Sequence, residues 1–463
     1  MSSAPTHTSD PATELERVEE GCGELCDLAL KSGAEQAEAC GVRIESRSAR
    51  FEKGELALGK ATDGTTFGLR VFDAGRLGFC HTNQAEGQAL EHTARDAVAL
   101  AGITPPDDAN ALCDAQGEPT PIDLWRPETA ALGVEDALTH GARFVAEMTG
   151  RDPRIRIDEA TFTVGRSNSA IANSLGLRCG ESDAWISFGA LGMAVDGDDV
   201  GGFHSCYEVM RDLTDLDRGI ERAAQELVRV ALSNLGAGAA ESYRGPVLFA
   251  PQAFAAVFLS PLVSAASAIA VQRGRSALAG RLGEVIASPL LTIHDDPSDP
   301  ELAGATGFDR EGHPVQRRAL VEEGRLTALL YNGYAALVDG VPSTGNAAGG
   351  PRSVPGLGIH ALCVAPGDGG DERALVAAMG RGLLVERFSG TVDPASGDFS
   401  GVAKGARWAE GGEVVRSVRE TLLSGNAFEL LGSILAMSSE APRHDGSARL
   451  PFALVDGVSV TAG

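Results

Sequence analysis

Residues 252–271 read QAFAAVFLSPLVSAASAIAV, and this stretch decides how the second half of the chain is organised. A helix with apolar side chains nearly all round must be buried, either inside its own domain or against a partner. The stretch is too short and too polar to be a membrane span. The sequence therefore predicts a C-terminal domain built around a buried helix.

Three serines, Ser260, Ser264 and Ser267, recur along this helix at helical spacing. Two interpretations are open. In the first, the small hydroxyl side chains allow another element to approach closely, and the hydroxyls donate to carbonyls of the preceding helical turn. In the second, the serines line part of a substrate cleft.

Short strand and hairpin patterns surround the helix and predict a β-rich C-terminal domain, residues 246–463. The predicted strands are 289–294, 314–321 paired with 325–331, 358–365, 382–388, 406–409 paired with 413–418, and 452–460. The Gly- and Pro-containing stretch 236–246 has the composition of a linker and marks the expected domain boundary.

The sequence pattern of the first half predicts a unit of one helix, several strands and a second helix, and this unit occurs twice in succession. The first unit comprises a helix at 13–32, strands at 37–45, 65–72 and 76–81, and a helix at 85–101; the second has a helix at 134–149, strands within 154–210 and a helix at 216–231. The predicted fold is α+β, with a flexible N-terminus (1–12), an N-terminal α/β domain of repeated helix-strand units (13–236) and the β-rich domain.

The formal net charge of −25 would repel nucleic acid and anionic membrane surfaces, so neither is an expected partner. No stretch approaches the length of apolar sequence that a bilayer span needs, and the first residues lack the basic and apolar regions of a signal peptide. We expect a cytoplasmic protein. Eight scattered cysteines then indicate reduced, mostly buried thiols.

An ordered set of short phrases resembles the TldD/PmbA family across nearly the whole chain. The phrases are Gly68–Val71, Gly75–Phe79, Thr82–Asn83, Gln272–Ser276, Leu282–Glu284, Leu291–Pro297, Phe308–Gly312, Ser343–Asn346, Gly397–Ser400 and Leu423–Asn426. The resemblance implies a protein of the TldD/TldE zinc metallopeptidase type.

The chain departs from the catalytic branch of that family at the zinc site. The resemblance places the family's His-Glu-x-x-x-His at Leu259, Ser260 and Ser264. Leucine has no lone pair, a serine hydroxyl stays protonated near neutral pH, and Ser260 cannot replace the glutamate as a base. The further cysteine ligand of that branch is also missing, since the last cysteine is Cys363. The departures together imply the metal-free, TldE/PmbA-like branch.

The resemblance implies a non-zinc subunit that associates with a zinc-bearing, TldD-like chain to degrade or trim peptides, including precursors of peptide natural products. The chain itself would carry no catalytic residue, metal or cofactor, and zinc would reside in the partner. The alternative is a stand-alone homodimeric scaffold that binds peptides without chemistry. A metal-free serine hydrolase is disfavoured, because no His or Lys lies in the helix to act as a base.

Other clusters have both a structural and a functional interpretation. Ser343, Thr344, Gly345 and Asn346 begin a Gly- and Pro-rich segment that either offers backbone amides to a peptide or is a connector. The run His294 to Asp296 is expected to cap a turn rather than bind metal. His204 and Cys206 share one strand face, but two ligands are insufficient for zinc.

Overall fold

The computed structural model describes residues 10–114, 117–419 and 421–462. Residues 1–9 of the predicted flexible N-terminus lie outside the described residues, and Pro11 and Ala12 already belong to the first helix. Asp10 caps that helix by accepting a hydrogen bond from the N–H of Ala12, and Pro11 suits the first turn, where its missing N–H is not needed.

The first half consists of long antiparallel strands and pairs of helices. Its helices are α1 (Pro11–Lys31), α2 (Gln88–Ala101), α3 (Pro127–Ala130), α4 (Val134–Arg151) and α5 (Leu216–Ser233). Its strands are β1 (Gln36–Glu52), β2 (Glu55–Asp73), β3 (Arg76–Thr82), β4 (Ile155–Asn173), β5 (Arg178–Asp196), β6 (Asp199–Val200) and β7 (His204–Met210).

Within the described ranges these strands form one seven-stranded sheet in the order β3-β2-β1-β4-β5-β6, with β7 also pairing to β5. The predicted repeat is confirmed: α1 and α2 flank the first three strands along the chain, and α4 and α5 flank the others. The strands are longer than the sequence pattern indicated, because β1 and β4 continue to pair beyond the segment that alternates clearly. Two apolar cores lie between this sheet and its helices.

The second half is β-rich, as predicted. Its strands are β8 (Gly238–Ala239), β9 (Tyr243–Phe249), β10 (Ile293–Asp295), β11 (Arg318–Glu322), β12 (Arg325–Leu326), β13 (Ala347–Ala348), β14 (Gly356–Leu357), β15 (Leu362–Val364), β16 (Gly382–Val385), β17 (Arg387–Val392), β18 (Asp398–Lys404), β19 (Arg407–Glu410), β20 (Glu413–Arg419), β21 (Thr421–Asn426), β22 (Ile434–Met437), β23 (Arg443–His444), β24 (Ala448–Arg449) and β25 (Ala453–Ala462). Its helices are α6 (Pro251–Phe254), α7 (Ser260–Ala265), α8 (Ala268–Gln272), α9 (Gly333–Asp339), α10 (Glu372–Met379) and α11 (Ala427–Leu430).

In the described part of this half, a ten-stranded sheet and a six-stranded sheet enclose the largest apolar core. β9 lies inside the ten-stranded sheet, between β25 and β16. It begins at Tyr243, within the stretch 236–246 whose composition predicted a linker. Because β8 also pairs with β20, the chain enters the C-terminal sheet at Gly238, near the start of that stretch.

The apolar stretch 252–271 is buried in this core, as expected, but it is not one continuous helix. It comprises α6, a π-helical turn at Ala255–Leu259, α7 and α8, and the last two are separated at residues 266–267. Pro261 contributes to the irregularity, because proline removes one backbone donor from a helix. The N–H of Ala268 donates to the carbonyl of Leu330, and the N–H of Leu330 donates to the carbonyl of Ala266, which ties the break to the chain that leads into α9.

Candidate functional site

The positions that the family resemblance assigns to zinc ligands do not share one face of the helix. Leu259 is fully buried in the C-terminal core, whereas Ser260 and Ser264 are exposed. Leu259 ends the π-helical turn, a local irregularity that often occurs at functional sites. The structure therefore brings the two serines to the surface and gives the leucine a packing role.

These side chains do not fit a zinc ion. Zinc requires imidazole, thiolate or carboxylate donors, and this helix offers a buried alkyl group and two hydroxyls. Over residues 10–114, 117–419 and 421–462, no group of three or more His, Cys, Asp or Glu side chains has an arrangement that could hold a metal ion. No catalytic step can be derived through zinc bound by these residues.

The segment Ser343 to Asn346 is a closed turn rather than an open loop. The N–H groups of Thr344 and Asn346 donate to the carbonyl of Tyr331, and the N–H of Gly345 donates to Ser343 Oγ at 3.2 Å. Thr344 Oγ1 donates to Asn346 Oδ1 at 2.7 Å and accepts from the N–H of Tyr331. The N–H groups of Thr344, Gly345 and Asn346 are thus engaged inside the domain.

Asp295 links this turn to the six-stranded sheet. Its carboxylate accepts from Asn346 Nδ2 at 2.8 Å and from the backbone N–H groups of residues 360–361 at 3.0 and 2.9 Å. Burial raises the pKa of Asp295, although these donors oppose the rise. Burial also lowers the pKa of the neighbouring His294. Asp295 thus binds backbone amides, as capping requires, but it is buried at the end of β10.

A buried ionic cluster, formed by Glu38, Arg70, Arg310 and Glu311, joins the two halves of the chain. Glu38 contacts Arg70 Nη2 at 2.7 Å and Arg310 Nη1 at 3.2 Å, and Glu311 contacts Arg70 Nη1 at 2.8 Å. All four side chains are buried. Because Glu38 and Arg70 lie on β1 and β2 while the other two follow Phe308, this cluster fixes the position of the sheet relative to the C-terminal domain.

Asp309, which precedes Arg310 and Glu311 in the chain, is a further buried carboxylate of the C-terminal domain. It accepts hydrogen bonds from the N–H groups of Glu311, His313 and Ala347. Burial, followed by the charge of Glu311, raises the pKa of Asp309 to about 6. Glu311 itself accepts from the N–H of Gly333 at 2.6 Å, and its pKa is lowered by Arg70 and this bond despite its burial. Phe308–Gly312 is one of the phrases that resemble the family, but nothing in the sequence indicates this role.

The sheet and the C-terminal loops enclose a groove of about 330 Å³. At one border Gly68 lets the carbonyl of Pro351 approach so closely that a side chain at position 68 would overlap it. Grooves between domains are frequent binding sites. Side chains that line the groove include Cys40, Ser169, Glu181, Thr306, Asp309 and His360.

His204 and Cys206 are both buried at the other contact between the two halves. His204 Nε2 lies 3.6 Å from Glu226 Oε1. Burial raises the pKa of Cys206, with Glu226 as the next cause, so its thiol stays protonated. His444 is also largely buried, and its Nε2 lies 3.4 Å from the carboxylate of Asp445. These residues are thus packed against their neighbours in the folded protein.

Three family models match the chain in its own domain order. They are described as the PmbA/TldA metallopeptidase domain 1 (residues 37–101), central domain (128–235) and C-terminal domain (242–462). Metalloprotease PmbA of Escherichia coli O157:H7 is 27% identical over 453 residues, which cover 95% of this chain and 96% of that protein.

Haemophilus influenzae has relatives of two kinds. Its Metalloprotease PmbA homolog is 26% identical over 450 residues, covering 94% of each chain. Its Metalloprotease TldD homolog is 30% identical over 222 residues, covering 47% of this chain and 45% of that protein.

The fold is also that of a solved structure, TldE from Thermococcus kodakarensis. The two superpose with a TM-score of 0.86 at 23% identity, covering 95% of this chain and all of that one. Among the described residues no helix is both long enough and apolar enough to cross a bilayer. Since the three domain models account for most of the chain in the expected order, the protein belongs to the PmbA/TldD metallopeptidase family.

Proposed function

We propose that this chain is the TldE/PmbA-like, non-zinc subunit of a heteromeric, cytoplasmic metallopeptidase of the TldD/TldE type. The observation that carries the proposal is that the side chains at the family's zinc-binding positions are not zinc donors. Leu259 is buried in the core, and Ser260 and Ser264 offer only hydroxyls. In this proposal zinc and the catalytic base belong to a TldD-like partner.

An intact network of hydrogen bonds in the C-terminal domain supports a retained role. Three N–H groups of the turn at Ser343–Asn346 are hydrogen-bonded, and Asp295 and Asp309 each accept from two or more backbone amides. Buried polar groups destabilise a fold when they are left without partners, so this network must be maintained as a unit. A protein that keeps it while lacking metal ligands is better suited to completing a partner's site than to independent catalysis.

The occurrence of both kinds of relative in Haemophilus influenzae supports a partnership between paralogous chains. The substrates in this proposal are peptides, including precursors of peptide natural products. The groove between the sheet and the C-terminal loops, about 330 Å³, is of a size to hold a few residues of an extended chain.

The proposal is tested by producing the chain alone, the TldD-type protein of the same organism alone, and the two together. We expect the pair to co-elute at micromolar concentration and to cleave a fluorescently labelled unfolded peptide. Activity should be lost on treatment with 1,10-phenanthroline and return with added zinc. This chain alone should be inactive.

A matched control replaces the glutamate of the partner's His-Glu-x-x-x-His with glutamine, which removes the base and preserves the shape. That pair should still co-elute but lose activity. If the two proteins elute separately and the zinc-bearing one is fully active alone, the proposed subunit role is refuted, and a homodimeric peptide-binding scaffold takes its place.

A further inference from the structure

A cleft of about 690 Å³ lies between one end of β5 and residues 119–125, a segment that runs beside the strand as a strap. The N–H of Thr120 donates to the carbonyl of Gly307 at 3.1 Å and anchors one end of the strap. At the other end Leu124 forms an isolated parallel β-bridge with Asp183. Between its two anchors the strap leaves a cavity open along the strand. This strap cleft is lined by residues 119–125 and 178–182, Leu15, Gly307 and Phe308.

The edge of β5 at residues 178–182 lacks a partner strand over the described ranges. β4 pairs with β5 over residues 178–194, whereas β7, on the opposite side, pairs with it only over residues 186–192. An unpaired edge presents backbone N–H and C=O groups that can pair with another chain. The open part of this edge is about 14 Å long, which matches four or five residues of an extended peptide.

The backbone donors of this edge point into the cleft. The N–H of Ala184 donates to the carbonyl of Leu124 on the strap at 3.4 Å. Successive residues of a strand direct their backbone groups to opposite sides, so the N–H groups of Gly180 and Ser182 point the same way as that of Ala184. In the described part of the chain, neither N–H donates to a residue outside the sheet. Both are therefore available to a ligand in the cleft.

The walls of the cleft lie on the two faces of the sheet. On one face Leu15 of α1 approaches Gly180 so closely that a Cβ there would lie 2.9 Å from Leu15 Cδ1. The side chain of the next residue, Glu181, points to the opposite face and accepts from Thr306 Oγ1 at 2.8 Å. Phe308 lines the cleft two residues beyond Thr306. Apolar side chains thus flank the edge on both faces and can contact the alternating side chains of an added strand.

Three of the lining side chains are charged, and each has a partner within the chain. Glu181 accepts the hydrogen bond from the threonine described above. Asp123 lies 3.3 Å from Arg126. Burial raises the pKa of Glu19, and the charge of the nearby Arg178 opposes that rise. The lining therefore offers no charge without a partner, which favours an uncharged ligand.

We propose that the strap cleft binds an uncharged, extended peptide segment, which adds to the edge of β5 as a further strand. The inference rests on the proposed function for the class of ligand and adds to it a binding site on this chain. The strap already pairs with the same edge at Leu124, so the edge accepts an extended segment. Glu181 and Phe308 line both the strap cleft and the groove of about 330 Å³, so the two cavities adjoin. Pairing through backbone groups suits a subunit that handles peptides of many sequences.

The test uses the full chain alone and a fluorescein-labelled, capped hexapeptide of alternating valine and threonine. Affinity is measured by fluorescence anisotropy, and folding is checked by circular dichroism. Ile122→Glu places a charge in the strap cleft, which Ile122 lines. The matched control is Ile103→Glu, since Ile103 is 79% exposed beyond the end of α2. Two further versions of the peptide carry N-methyl groups on alternate amides, so that each blocks one backbone edge and keeps the side chains.

We expect Ile103→Glu to bind the peptide as the wild type does and Ile122→Glu to bind it about tenfold or more weakly, because a carboxylate is costly in an apolar site. At least one N-methylated version should also bind about tenfold or more weakly, since it loses two or more hydrogen bonds. The parent peptide should slow hydrogen exchange in residues 178–184 of the wild type.

The proposed site is overturned if Ile122→Glu binds as well as the wild type, or if both N-methylated peptides bind as the parent does. Absence of binding by the wild type overturns it as well, and the subunit role then still depends on co-elution and activity of the pair. Conversely, failure of the pair to form refutes the proposed function even when the isolated chain binds the peptide at this edge.

Discussion

Replacing Glu38 with glutamine tests whether the buried ionic cluster holds the two halves together. The Glu38 carboxylate serves two guanidinium groups, at 2.7 Å to Arg70 and 3.2 Å to Arg310, and its side chain is 1% exposed. Glutamine has the same shape but no charge. Arg70 would then keep Glu311 as its carboxylate partner, whereas Arg310 would lose the carboxylate that it contacts within the cluster. Removing one partner from a buried ion pair costs about 3–5 kcal/mol.

The matched control is Glu91→Gln, which makes the same chemical change in an exposed pair. Glu91 lies 2.8 Å from Arg95 one helical turn away, and both side chains are largely solvated. Such a pair contributes about 0.3–0.5 kcal/mol. The chain is long, so a single global unfolding free energy is not well defined, and local opening is the appropriate quantity.

Native-state hydrogen exchange of the amides in residues 36–44 and 308–312 measures that local opening on both sides of the contact. We expect Glu38→Gln to lower the opening free energy of both segments by about 3 kcal/mol or more, and Glu91→Gln to leave them unchanged. If the opening free energies of the two variants agree within about 0.5 kcal/mol, the cluster does not determine the interdomain contact. A lower opening free energy in only one of the two segments would show that the cluster stabilises one domain and not the junction.

Three further outcomes follow from the geometry. Gly68→Ala should weaken the contact with Pro351 by about 1–3 kcal/mol, because the added methyl group overlaps the Pro351 carbonyl. The expected result is faster hydrogen exchange in residues 349–355. The control Gly59→Ala lies on the same strand with open space around it and should leave that exchange unchanged. Because the pKa of Asp309 is raised to about 6 by burial, this carboxyl binds its proton more tightly in the folded protein than in the unfolded chain, so the contribution of Asp309 to stability rises as pH falls from about 6 to 4. That rise should be smaller in Asp309→Asn by urea midpoints. Plasma mass spectrometry of the isolated chain should find well under one zinc per chain, and stoichiometric zinc that resists chelation would refute the donor argument.

Much of the fold could be predicted because its determinants are local. The helical periodicity of residues 13–32 and 216–231, and the turn residues between strands, identify elements without tertiary information. The pairing of β1 with β4 could not be predicted, since it joins strands more than a hundred residues apart. The same holds for β9, whose sequence follows a linker-like stretch but lies at the centre of a sheet.

The candidate site was predictable only in part, for a similar reason. The family resemblance assigns the ligand positions to Leu259, Ser260 and Ser264, and the residue types there then show that the zinc ligands are missing. The roles of Asp309 and Glu311 depend on Glu38 and Arg70, which lie far away in sequence. A charged run such as Phe308–Gly312 is compatible with a solvated turn until its partners are known. Burial of four charged side chains at one junction is a property of the assembled domains.

The packing of the helix explains how this chain can lack the catalytic groups without losing the fold. Leu259 is fully buried, so an apolar residue there adds to the core. Ser260 and Ser264 are exposed, so their small hydroxyls leave no polar group buried without a partner. The stability of the domain and the chemistry of the site are therefore separable at these three positions. It follows that stability measurements on the isolated chain cannot reveal whether it serves a peptidase, and that the decisive measurement is activity of the assembled pair.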